Sequence, residues 1–267
     1  MRSLRRYVAV GDSSTEGLMD PDGAGGFRGW ADRLAQHLAD AQPEPLDYAN
    51  LAVRGQRAAE VRATQLEAAL ALDPDLVSVF AGVNDVIGLR CDFGSVRADL
   101  AAMFGATRDI GATVVTFTMP DPGAVNRLVK RLRPRMARLN AVVREEAERH
   151  GVLVVDFEAY PVAVDPRLWF VDRLHSSPVG HEKIAAALAW RLGLEGSDEG
   201  WAQPFAEPAV PRTVVGSARS DVDWVVRHLA PWLLRNARHL PHGLGITARR
   251  PVPTVVPRSC RREVRQE

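Results

Sequence analysis

Short apolar runs rich in valine alternate with stretches of helical spacing along most of the chain. Residues 7–10, 46–51, 76–80, 113–117 and 152–155 are such runs, bounded by Gly, Pro, Asp or Asn. They are predicted to be five buried strands. Between them, apolar positions recur at helical intervals: Trp30, Leu34 and Leu38; Val61, Leu66 and Leu70; Val96, Leu100, Met103 and Phe104; Met136, Leu139, Val142 and Val143. Gly151 is placed to end the fourth of these helices in a left-handed cap. A further helix is predicted over 178–192, with Ser177 as N-cap and Pro178 in its first turn. Strands alternating with helices of this length predict parallel βαβ units and a three-layer α/β/α fold. Ligands then belong beyond the carboxyl ends of the strands.

The pattern changes after residue 195. Residues 196–220 carry Gly, Pro and Ser and read as a linker. Ser220 then precedes a predicted helix whose apolar stripe is Val222, Val225, Leu229 and Leu233, with Asp223 in a capping-box position and Pro231 as a kink. From Arg249 onward the arginine-rich tail is expected to be disordered. The predicted organisation is an α/β domain over 1–195, a linker and amphipathic helix over 196–248, and a tail over 249–267.

Composition narrows the functional classes without choosing one. The chain has 267 residues, 46% hydrophobic and 25% charged, which suits a globular protein with a sizeable core. A net charge of +1 argues against nucleic-acid binding by bulk electrostatics. Only Lys130 and Lys183 among the 34 basic residues are lysines, so single arginines carry less functional weight than usual. Cys91 and Cys260 match no disulfide framework and no zinc pattern. No apolar run approaches the ~20 residues of a membrane span, and a strand begins soon after a polar, basic start, so a cytoplasmic location is expected. Arg227, Arg235 and Arg238 beside Trp224, Trp232 and Leu233 offer a basic amphipathic face for an anionic membrane. Packing on the α/β domain is the preferred reading of that helix, because Pro231 interrupts its stripe. The sequence leaves the oligomeric state open.

Four short motifs fall at or beyond predicted strand ends: Gly11-Asp12-Ser13, Asn50 to Gly55, Gly82-Val83-Asn84-Asp85, and Asp172-Arg173-Leu174-His175. Together they hold the parts of nucleophilic acyl transfer. Ser13 is the candidate nucleophile and His175 the base that takes its proton. Asp172 is placed to orient the imidazole. The backbone N–H groups of Ser13 and Gly55 and the carboxamide of Asn84 are candidate oxyanion donors. Each residue also has an ordinary explanation: turn formation for Ser13 and Gly55, a local backbone bond for Asn84, a surface or capping role for His175. Their joint occurrence in one order outweighs these. His181 is the nearest competing base, but its helical position points it away from a loop-built site. Asp156 is a rival acid. Phe27, Trp30, Leu89, Phe93, Trp169 and Phe170 are placed to border the site, with core packing preferred for Trp30.

On these motifs the chain resembles the SGNH, or GDSL, serine hydrolases of the esterase and lipase type, over roughly residues 6–193. The block Gly11-Asp12-Ser13-Ser14-Thr15-Glu16-Gly17 is similar to that family's nucleophile block, and the other three motifs follow in its order. Ala52 stands where a glycine is common. The run Ser176-Ser177-Pro178-Val179-Gly180-His181 resembles actinomycete-like members. The resemblance implies a five-stranded parallel sheet of flavodoxin-like order. It also implies Ser13, Asp172 and His175 as the triad, and Ser13, Gly55 and Asn84 as the oxyanion hole.

The expectation is a metal-independent, cofactor-free hydrolase that cleaves a small carboxylic ester through an acyl-enzyme on Ser13. An acyltransferase with an alcohol or sugar acceptor is the alternative, since it shares that intermediate. A vestigial binding module is disfavoured because all five site residues are present.

Overall fold

The computed structural model describes residues 4–207, 221–229 and 245–259. The predicted Ser220 cap and Pro231 kink, together with Trp232, Leu233, Arg235 and Arg238, lie outside the described residues, as do residues 260–267. Five parallel strands appear where the apolar runs predict them: β1 (Arg6–Gly11), β2 (Leu46–Asn50), β3 (Leu76–Phe80), β4 (Thr113–Phe117) and β5 (Leu153–Val155). A sixth strand, β6 (Arg250–Val256), pairs antiparallel with β2 and gives the sheet order β5-β4-β3-β1-β2-β6. Residues expected to be a disordered tail are thus an edge of the sheet. Val256, opposite Leu46, is buried there.

The helices follow the predicted alternation. α1 (Ser13–Glu16) is one turn after β1, and α2 (Gly29–Asp40), α3 (Ala58–Ala71) and α4 (Val83–Ile87) follow. Next come α5 (Phe93–Asp109), α6 (Pro122–Val125), α7 (Arg133–His150) and α8 (Pro178–Arg191). α2 and α8 pack together on one face of the sheet, while α3, α5 and α7 pack side by side on the other. Ser177 caps α8 by accepting the Gly180 N–H, and Gly151 ends α7 at φ 64°. A run of rings stitches the layers together. Trp30 of α2 meets Phe117 edge-on, Phe117 stacks on Phe80 at 4.3 Å, and Phe157 meets Phe117 edge-on.

The strand order reverses between β1 and β3. In parallel sheets a crevice opens at such a point, beyond the carboxyl ends. Ser13 follows β1 and Asn84 follows β3, so this crevice receives two of the four motifs.

The C-terminal helix departs from its predicted stripe. Residues 221–224 are α-helical and Val225–Leu229 form a π-type turn. Val222 and Val226 are more than half exposed, whereas Trp224 is buried. The indole offers more apolar area than a valine and has an N–H to satisfy, and the next subsection shows where that N–H goes.

Candidate active site

β1 and β3 approach closely where β1 ends. A Cβ on Gly11 would lie 2.6 Å from the Phe80 carbonyl oxygen, so only glycine fits there. Asp12 then caps α1, its Oδ1 accepting the Ser14 N–H at 3.0 Å. That cap starts the helix at Ser13, whose N–H has no partner among the described residues, as expected of a first-turn donor.

The loop before α8 supplies the second half of the site. Trp169 and Ser176 form a bridge, and the Phe170 N–H donates to the His175 carbonyl at 2.9 Å. Inside this loop Asp172 organises its neighbours. Its Oδ1 accepts the N–H groups of Leu174 and His175, each at 3.0 Å. Its Oδ2 lies 2.7 Å from His175 Nδ1. On the far side of the ring, Nε2 lies 3.0 Å from Ser13 Oγ. Burial pushes the Asp172 carboxyl up, but the hydrogen bond and charge of His175 outweigh it and hold the group below the ordinary carboxylate range. An ionised Asp172 only accepts, so Nδ1 carries the proton and Nε2 turns a lone pair toward the Ser13 hydroxyl.

The candidate donor side is built from β2 and β3. Asn50, at the end of β2, is buried; it donates to the Thr15 carbonyl at 2.8 Å and accepts the Ala52 N–H. The chain then passes Arg54, whose N–H donates to buried Glu16 at 2.9 Å and whose guanidinium pairs with the same carboxylate. Gly55 follows at φ 79°, and its N–H has no partner among the described residues. Asn84 sits in the first turn of α4. Its Nδ2 donates to Asp12 Oδ2 and to the Gln56 carbonyl, both at 2.9 Å. Asn84 is therefore tied at once to the residue before Ser13 and to the residue after Gly55. Burial drives the Asp12 carboxyl up to about 7, against the lowering effects of the Ser14 N–H and the His175 charge.

Ser13, Asp172, His175 and Asn84 are thus brought together, with Gly55 in the adjoining loop. The rivals go elsewhere. Asp156 binds Thr118 and Arg144 and makes no contact with His175. His181 is fully buried; its Nδ1 accepts the Trp30 N–H and its Nε2 donates to the Leu18 carbonyl. Burial lowers its pKa to about 4, so it stays neutral. Of the six apolar residues expected near the site, Trp169 lines its cavities, while Trp30 is core and Leu89 is largely exposed.

Two cavities meet along a shared wall of Val83, Ile87, Met119, Trp169, Leu174 and His175. The smaller, about 70 Å³, holds Ser13 and Asn84 and is backed by Phe80, Phe117 and Phe157. The larger, about 530 Å³, lies on the Asp172 side of the imidazole. Sequence reasoning missed the groups around this loop. Trp224 Nε1–H donates to the Asp172 carbonyl, and Asp221 pairs with Arg127 and Arg173, each at 2.6 Å. No local pattern signals them, because they lie 48 to 94 residues from their partners along the chain. No described helix is long and apolar enough to cross a membrane.

A model of the GDSL-like lipase/acylhydrolase family matches residues 9–183. An acetylxylan esterase from Geobacillus stearothermophilus is 26% identical over 225 residues, covering 72% of this chain and 96% of that protein. Two solved structures, each 25% identical, share the fold. One is LAE5, an α/β hydrolase from the metagenome of Lake Arreo, Spain, with a TM-score of 0.62 over 72% of this chain and 97% of its own. The other is a lipase/acylhydrolase from Enterococcus faecalis, with a TM-score of 0.59 over 73% and 99%. The chain belongs to the GDSL-like lipase/acylhydrolase family and is a carboxylic ester hydrolase.

Proposed function

We propose that the ester is cleaved by Ser13, with His175 as general base and Asp172 orienting it. The observation that carries this reading is the continuous relay from Asp172 Oδ2 to His175 Nδ1 at 2.7 Å and from His175 Nε2 to Ser13 Oγ at 3.0 Å. Ser13 Oγ gives its proton to His175 Nε2 as it bonds to the acyl carbon, and the carbonyl electron pair moves onto oxygen. The free N–H groups of Ser13 and Gly55 receive that oxyanion. Asn84 joins as the third donor by sharing a hydrogen now given to Gln56. When the intermediate collapses, the ester C–O bond breaks and the alkoxide takes the proton from His175. Water repeats the sequence in reverse: it gives a proton to His175, adds to the acyl carbon, and releases the acid as Ser13 recovers its proton. An alcohol entering in place of water would transfer the acyl group instead, and ester products formed with added alcohols would reveal it.

Ser13→Ala and His175→Ala should each lower kcat on p-nitrophenyl esters by about 10⁴ or more while the thermal transition stays in place. Near-wild-type turnover by either folded variant would refute the assignment. Because the base works neutral, kcat/KM of the wild type should rise with pH from the acid side.

A further inference from the structure

The larger cavity has the size of a small-molecule pocket and a distinctive wall. Its lining includes Leu128, Val129, Leu132 and Met136 from the loop and helix start, together with Trp224. Trp224 comes from the 221–229 segment, outside residues 9–183, and two kinds of anchor hold that segment. Its indole N–H bonds the Asp172 carbonyl at 2.5 Å, and Asp221 pairs with both Arg127 and Arg173. Of the lining arginines, Arg131 and Arg227 are exposed and mark the open edge; Asn126, Asp172, Arg173 and His175 add polar groups, and the rest of the wall is aliphatic and aromatic.

We infer that this cavity takes the aliphatic chain of a medium-chain ester and that Trp224 is the specificity-determining residue that closes it. The inference rests on the hydrolase reading above and adds the substrate class. The argument is chemical. A sugar leaving group needs many hydrogen-bonding partners, and an apolar wall would leave its hydroxyls unpaired. A hydrocarbon chain needs only shape and dryness, and each methylene that enters gains roughly three- to fourfold in affinity or kcat/KM. The shared wall brings the chain past His175 to the Ser13 compartment. That compartment, at about 70 Å³ the smaller of the two, holds Ser13 and Asn84 and so takes the reacting ester group. The chain belongs either to the acyl group or to the alcohol, and the two arms of the test separate these sources.

In the first arm, kcat/KM is measured for p-nitrophenyl acetate, butyrate, hexanoate and octanoate. In the second, ethyl acetate is compared with hexyl and octyl acetate. A rise of tenfold or more from the short to the long ester in either arm supports the cavity; flat or falling series in both overturn it. Trp224→Ala should erase at least tenfold of that gain, mainly through KM, over and above any common loss that freeing the Asp172 carbonyl imposes on acetate or ethyl acetate. Trp224→Phe keeps the apolar wall but drops the bond to Asp172, and should keep most of the gain. Should Trp224→Ala lower every ester equally, Trp224 would act on the catalytic loop alone and the specificity role would fall. Leu128→Gln covers the case in which Trp224→Ala does not fold. It touches no triad residue and should also flatten the series. The outcome is kept independent of turnover by calorimetric titration of Ser13→Ala with p-nitrophenyl octanoate and acetate. Tighter octanoate binding supports the cavity even if Ser13 is not the nucleophile. Equal binding of both overturns it even if hydrolysis is confirmed.

Discussion

Asp12 carries a conflict between place and charge. It is fully buried beside Ser13, yet both its oxygens accept N–H hydrogen bonds, from Ser14 and from Asn84. Those donors favour the ionised form, burial opposes it, and the carboxyl ends at about 7 rather than 3.8. Between those values the folded chain holds a proton that the unfolded chain has released. The stability this group contributes is therefore complete below 3.8 and is lost as pH rises through about 7. Asp12→Asn removes the titration. In urea unfolding it should gain on wild type by on the order of 2 kcal/mol between pH 5 and pH 8. A constant difference at both pH values would contradict this account. The same substitution should lower kcat at least tenfold, because its new NH₂ either opposes that of Asn84 or leaves the Ser14 N–H unpaired. His181 titrates in the other direction. With a pKa lowered to about 4, it contributes stability above its ordinary 6.5 that is lost as pH falls through about 4. The two slopes partly cancel in the wild type, so Asp12→Asn exposes what the native pH profile conceals.

At the scale of the element, the loop between β2 and α3, the proposed donor loop, is held from α1. Buried Glu16 accepts the Arg54 N–H at 2.9 Å and pairs with its guanidinium, fixing the peptide that leads into Gly55. Glu16→Gln keeps one acceptor but presents an NH₂ to the arginine. We expect kcat to fall about tenfold with KM within threefold, because the Gly55 N–H loses its aim while substrate contacts persist. An unchanged kcat in a folded variant would leave the pair a purely structural one. How much was legible follows the same divide between local and distant causes. The strands β1–β5 and the capped α8 could be read because their signals are local: valine runs, Ser177 before Pro178, Gly151 after α7. The four motifs could be placed because strand ends and glycines mark the crevice. What escaped was set by partners far along the chain: Trp224 on Asp172, Asp221 on Arg173, Arg54 on Glu16. Val222 and Val225 misled for a related reason. Their spacing suits a buried stripe, but only the tertiary contact of Trp224 decides which side turns inward.

For the whole molecule, the sheet is closed on one side by a strand that sequence reasoning left as tail. Arginine content and two prolines in 250–256 argue locally against a strand, yet the pairing explains both. The Asp47 and Leu51 N–H groups donate to β1, so the even-numbered residues of β2 turn their N–H groups the other way, toward β6. With Tyr48 opposite Thr254 and Leu46 opposite Val256, Thr254 and Val256 face β2 and their odd-numbered neighbours Pro253 and Val255 face outward; the register shifts between Tyr48 and Asn50, before Arg250 is reached. Pro253 falls on the outer edge and Pro251 in the irregular stretch, where a missing donor costs little and discourages pairing with another chain. Arg250 lies over the Tyr48 ring, and neighbouring Arg249 donates to the Glu16 carbonyl, which anchors the strand's start beside the donor loop. Parity makes the arrangement testable with proline itself. Thr254→Pro removes a donor that faces β2 and should cost about 3 kcal/mol, several degrees in Tm. Val255→Pro, one residue along on the outer edge, should cost less than about 1 kcal/mol. Equal losses from the two would mean that β6 does not pair in this register. A loss confined to Thr254→Pro, accompanied by lower kcat, would tie the C-terminal edge to the donor loop through Arg249.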